Sequence, residues 1–162
     1  MQNFMIRLRR TPYAPFIFLA LLLIALTFLD FSADWFSVRG TFTWQVVSGS
    51  LLLTLLIFQW VLFFKRGFPK LGLVSSDLSQ HRWVGVAATY VFALHAVRLG
   101  HAWMTGLSVL FFLLALTGVL NRQVIGYRQN WLYLLWLVAH IGISAAMVPL
   151  IGVHVWVALA YE

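Results

Sequence analysis

The residues best suited to chemistry are histidines. His81 and His95 stand fourteen positions apart, and so do His140 and His154. In an α-helix fourteen steps of about 100° return to within about 40° of the starting direction, so each pair shares one helix face. The same fourteen steps separate the two rings by about 21 Å along the axis. Neutral imidazole is a good iron ligand, and two axial imidazoles make a heme six-coordinate, a state suited to electron transfer rather than oxygen binding. Two matched pairs therefore point to two stacked, noncovalent b-type hemes with His81, His95, His140 and His154 as metal ligands. A single zinc ion is poorly served, because rings about 21 Å apart cannot close one tetrahedron. The plainer alternative makes each histidine a polar contact between helices. Ionisable groups inside a membrane are costly and usually functional, and the matched spacing favours the ligand role.

The elements that must position these rings follow from composition. The chain has 162 residues, is 62% hydrophobic and 9% charged, and has a mean hydropathy of +0.91. Such a chain has lipid as its solvent. Five apolar segments run from about Tyr13 to Leu29, Val46 to Phe64, Trp83 to Leu99, Trp103 to Leu120 and Trp131 to Leu159. At about 20 residues per crossing, helices are the spans these lengths allow. The expected fold is all-α: a single membrane domain over residues 1–162 made of five transmembrane helices. Its N-terminal helix covers about residues 13–30 and a heme-binding four-helix core about 45–160. Ser75 or Ser76 is positioned to cap the third helix, with Asp77 in its first turn. No flavin or nicotinamide domain fits beside five spans, so hydride chemistry falls to a separate subunit or partner.

Charge and cysteine content narrow the classes further. The net charge of +7 is spread beside apolar runs rather than along a soluble basic stripe, which argues for topology signals and against nucleic acid. Arg7, Arg9, Arg10, Lys65, Arg66, Lys70, Arg82, Arg122 and Arg128 fall on one side of a five-span layout, and Arg39 and Arg98 on the other. By the positive-inside rule the N-terminus is cytoplasmic and the C-terminus outside, as in a bacterial inner-membrane protein. Arg7, Arg9 and Arg10 ahead of an apolar run imitate a signal peptide, but Phe31 and Asp34 spoil the small-residue cleavage site and the segment is expected to stay. Trp35, Trp44, Trp83, Trp103 and Trp131 sit near segment ends, where indoles favour the headgroup layer. Without cysteine there is no disulfide, iron–sulfur cluster, thiolate-bound heme or covalently attached c-type heme.

Segments three and five run the same way, because one crossing lies between them. His81 then comes level with His140 near the cytoplasmic side, and His95 with His154 near the outer side. Pro149 is expected to kink the fifth helix between its histidines. Gly85, Gly142 and Gly152 lie within about a turn of a ligand, where a missing side chain admits either a flat macrocycle or an ordinary helix neighbour. Arg82 and Arg98 are the candidate partners of heme propionates. Arg98 is the more telling, since it opposes the inside bias and follows His95 by three residues. His101 lies about 200° around the helix from His81, off the shared face. It suits an interfacial position or a contact with a propionate, a quinone or a redox partner. Gln59 and Gln123 join it as candidate quinone contacts. Phe92, Phe111, Phe112 and Trp136 are read as packing, since nothing in their spacing marks a redox path.

The run His81-Arg82-Trp83-Val84-Gly85, with His95 in Ala93-Leu94-His95 and the matched His140 and His154, resembles the ferric reductase-like transmembrane superfamily. Leu116-Thr117-Gly118-Val119-Leu120 resembles cytochrome b561-like and quinol-linked cytochrome b subunits. The resemblance covers roughly residues 46–159 and implies a heme-binding helical bundle. The flavin and nicotinamide domain of full-length ferric reductases has no counterpart in this sequence. The expected function is that of a membrane di-heme cytochrome b passing electrons across the bilayer for a separate redox protein. The alternatives are a quinone-reactive cytochrome b anchor of a dehydrogenase and a structural membrane subunit without heme.

Overall fold

The computed structural model describes residues 11–28, 41–67, 75–96, 102–121, 124, 125, 127 and 129–160, apart from the side chains at 27, 28, 62, 63, 66, 67, 75 and 76. The described secondary structure is helical: α1 (Ala14–Phe28), α2 (Phe42–Gly67), α3 (Ser75–His95), α4 (Ala102–Val119) and α5 (Asn130–Ala160). Three of these, α2, α4 and α5, are long and apolar enough to cross a bilayer. Among the described residues the expectation of five spans is met by five helices, of which three are long and apolar enough to span. α1 is apolar, but its 15 residues fall short of the roughly 20 that a crossing needs. α3 has 21 residues, yet its first two turns are polar, with Asp77, Gln80, His81 and Arg82 among them. It begins at Ser75, well before the apolar run that starts at Trp83, and carries Asp77 in its first turn, where the helix dipole favours negative charge.

The helices group into two compact units, α1 to α3 and α4 with α5. In the first, α1 and α2 both pack on α3. Tyr13, Ala14, Ile17, Ala20, Leu21 and Ile24 form one buried stripe at helical spacing along α1. The buried residues of α3 include Ala88, Thr89 and Ala93, whose small side chains let neighbouring backbones come close. Thr41 caps α2, its hydroxyl accepting from the Trp44 amide at 3.3 Å.

Four polar contacts set the direction and register of α2 against α3. Trp44 Nε1 donates to the Leu94 carbonyl at 3.3 Å, Ser48 Oγ lies 3.0 Å from His95 Nδ1, Gln59 Nε2 donates to the His81 carbonyl at 2.9 Å, and Lys65 Nζ meets Asp77 Oδ1 at 2.8 Å. From Ser48 through Gln59 to Lys65 the partners recede along α3 from His95 through His81 to Asp77, so the two helices are antiparallel. The Lys65–Asp77 ion pair closes the end nearest their connection.

In the second unit α4 packs on α5. α4 ends at a turn in which Asn121 Nδ2 donates to the Gly118 and Val119 carbonyls at 3.0 and 3.3 Å, satisfying acceptors the helix leaves open. The Tyr127 phenol donates to the Leu120 carbonyl at 2.7 Å, and burial pushes it above its ordinary pKa. α5 continues without a break through Pro149. Met147 is its buried residue, while Trp131, Leu135, Val138, Trp156 and Leu159 are about 60% exposed. A 31-residue apolar helix with so little covered surface suits lipid and not water.

Candidate functional site

Both histidines of α3 lie toward α2. The His95 ring sits on Gly49 so closely that a Cβ there would lie 3.0 Å from Cε1, 3.6 Å from Nδ1 and 3.7 Å from Nε2. Ser48, the preceding residue, holds the ring edge through the 3.0 Å contact to Nδ1. The Ser48 hydroxyl hydrogen is already given to its own helix, since Oγ donates to the Trp44 carbonyl at 2.7 Å. One hydroxyl has one hydrogen, so if it goes to the Trp44 carbonyl, Oγ accepts from Nδ1–H; the partner's role follows the ring's tautomer.

His140 repeats the arrangement in the other unit. Thr117 Oγ1 lies 2.9 Å from His140 Nδ1 and donates its hydrogen to the Leu114 carbonyl at 2.8 Å. The same count applies: with the Thr117 hydrogen on the Leu114 carbonyl, Oγ1 accepts from Nδ1–H. Gly118 follows Thr117 as Gly49 follows Ser48, and a Cβ on Gly118 would lie 3.7 Å from His140 Cε1. Trp136 completes this seat: its ring stacks on the imidazole at 5.8 Å and 11°, and its Nε1 donates to the Thr117 carbonyl at 2.8 Å. Tyr133 stacks on Trp136 in turn, at 5.6 Å and 26°.

His81 lines a small cleft of about 20 Å³ with Phe58, Val61, Lys65, Asp77, Gln80 and Val84. That is room for about one water molecule among polar partners. His154 is half-buried on α5. One turn before it, Leu150 helps to line an apolar cavity of about 230 Å³ with Ala102, Trp103, Gly106, Leu107 and Leu110 of α4. This volume is below the roughly 300 Å³ at which ligand pockets begin.

The remaining expected site residues separate. The Arg82 guanidinium lies over the Tyr13 ring at 5.6 Å, a cation–π contact with the start of α1. The amide of Gln59, a candidate quinone contact, donates to the His81 carbonyl. A Cβ on Gly85 would meet Gln59 Nε2 at 3.5 Å, whereas Gly142 and Gly152 face open space. Arg98, His101, Arg122, Gln123 and Arg128 lie outside the described residues. Spacing alone did not single out Ser48, Gly49 or Thr117 as histidine partners. The available signal was a hydroxyl residue followed by glycine on the helix preceding each histidine helix.

Metal-bound histidines ordinarily donate their second ring N–H to a fixed acceptor, which orients the ligating nitrogen. In His95 and His140 it is Nδ1 that lies within hydrogen-bond distance of a hydroxyl. Among the described residues no three of His, Asp or Glu gather as a site for a bare metal ion. An axial heme ligand needs no such cluster, because the macrocycle brings four nitrogens of its own. No protein-family model, curated protein or solved structure matches this chain.

Proposed function

We propose that the chain is a membrane di-heme cytochrome b of the ferric reductase-like or cytochrome b561-like kind, conducting electrons across the bilayer for a separate redox protein. The observation that carries this reading is the pair of imidazoles, His95 and His140, each held against a neighbouring helix by a hydroxyl at hydrogen-bond distance from Nδ1. The matched fourteen-residue spacing supplies His81 and His154 as their counterparts. When bound, heme supplies one-electron chemistry at iron, which none of the chain's own side chains offers at ordinary potentials. The chain's part is to hold imidazoles in fixed tautomers, to keep water away with apolar helix surface, and to space two ligand levels by about 21 Å.

The finer proposal is a five-span topology with the N-terminus in the cytoplasm of a bacterial inner membrane. In it α1 supplies the first crossing and α3 spans with its polar first turns in the headgroup layer. On chain direction alone, His81 and His140 then serve the inner heme, and His95 and His154 the outer. Arg82 and Arg98 are proposed for the propionates, with Arg82 leaving Tyr13 to make that contact. The test is a set of four alanine variants followed by reduced absorption spectra. His81→Ala and His140→Ala are expected to remove one spectral component, and His95→Ala and His154→Ala the other. Retention of both components in all four variants contradicts the ligand assignment.

A further inference from the structure

The following rests on the heme reading and deepens it. We propose that Ser48 and Thr117 are positioning residues that fix the ring orientation of His95 and His140 and set the donor strength of their Nε2 atoms, one residue for each heme.

A single hydroxyl near a histidine is common helix-to-helix contact. Here the same construction occurs in two separate helix pairs. In each, the hydroxyl first donates to a carbonyl of its own helix, Ser48 to Trp44 at 2.7 Å and Thr117 to Leu114 at 2.8 Å. Each oxygen also lies at hydrogen-bond distance from Nδ1, at 3.0 and 2.9 Å. Each is followed by a glycine that lets the imidazole lie against the helix backbone. With the ring proton on Nδ1, as the proposal requires, the chain N–H···O–H···O=C polarises cooperatively, draws that proton outward and makes Nε2 a stronger donor than an imidazole facing hydrocarbon.

The two constructions are not copies at equivalent positions. Ser48, near the start of α2, meets His95 at the last residue of α3, whereas Thr117, near the end of α4, meets His140 in the first half of α5. In the spacing match His95 corresponds to His154 and His140 to His81. The hydroxyl-held ligands are therefore distributed one to each proposed heme. A stronger axial donor stabilises ferric over ferrous iron, so each hydroxyl lowers the potential of its own heme.

The experiment uses the full chain with its heme, in detergent, and three variants: Ser48→Ala, Thr117→Val, and Thr117→Ser, which keeps the hydroxyl. Heme per chain is quantified and the reduced spectrum is titrated against potential. Ser48→Ala is expected to raise the midpoint potential of one component and weaken its heme binding about 10- to 100-fold. Thr117→Val is expected to do the same to the other component, while Thr117→Ser stays near wild type. If Thr117→Val loses its heme outright, retention by Thr117→Ser supports the role and loss by both overturns it. Unmoved potentials in Ser48→Ala and Thr117→Val also overturn it, as does a shift of the same component by both. A wild-type chain without heme instead rejects the heme reading itself, and this inference with it.

Discussion

Gly49→Ala is the smallest change that should disturb His95. The added methyl would lie 3.0 Å from Cε1, where carbon atoms normally rest about 3.5–4.0 Å apart, so the ring must retreat by about 0.5 Å or more. Its 3.0 Å bond to Ser48 then stretches to about 3.5 Å, the outer limit of a hydrogen bond. Losing that bond costs about 0.5–1.5 kcal/mol, while replacing glycine by alanine in a helix returns about 1 kcal/mol. The two nearly cancel, so the informative quantity is the difference from Gly106→Ala. That position is also helical, but an added Cβ meets nothing within 4 Å and only the helix gain applies. Gly49→Ala should therefore be less stable than Gly106→Ala by about 1 kcal/mol, the size of the lost bond. It should also perturb the spectral component assigned to His95, which Gly106→Ala leaves alone. Thermal unfolding in detergent, followed by circular dichroism beside the heme spectrum, reads both effects. Equal stability and equal spectra for the two variants would refute the close seat of His95 on α2.

Three further outcomes follow from the same geometry. Asp77→Asn removes the ion pair that closes the α2–α3 end, and because both side chains are partly exposed the cost should be about 0.5–1 kcal/mol and shrink with salt; a double-mutant cycle with Lys65→Met measures the coupling. Trp136→Phe keeps the stack on His140 and loses the bond to the Thr117 carbonyl, for about 1 kcal/mol, whereas Trp136→Leu loses about 0.5–1.5 kcal/mol more along with the stack; unfolding of both variants in detergent checks the order. Dithionite should reduce the isolated chain while NADH or NADPH alone should not, with the absorbance change on mixing as the readout.

Much of the architecture can be read from hydropathy. Each of the five apolar runs overlaps one of the five described helices, and Asp77 does stand in the first turn of α3. The start of α3 was harder, because an apolar window finds Trp83 and passes over the polar turns that carry His81 and Arg82. Those turns remain helical through their backbone bonds and through contacts with α2 at Gln59 and Lys65. The spacing of the histidines was legible, but their partners were not. Which residue of α2 faces His95 depends on the register of a helical pair, and no local pattern encodes that register. Trp136 illustrates the same limit: as one aromatic among many it carries no signal, yet in the fold it lies flat on His140. Arg82, placed beside a ligand by sequence, turns to Tyr13 because an aromatic face at the start of α1 is within its reach.

The central claim is that this chain carries heme on paired histidines, and heme stoichiometry tests it most directly. The protein purified in mild detergent, with heme extracted and quantified against chain concentration, should contain about two noncovalent hemes per chain and show the low-spin reduced spectrum of two axial imidazoles. A folded, monodisperse chain that contains no heme, even after the cofactor is supplied during expression, would contradict the account and leave the histidines as contacts between helices.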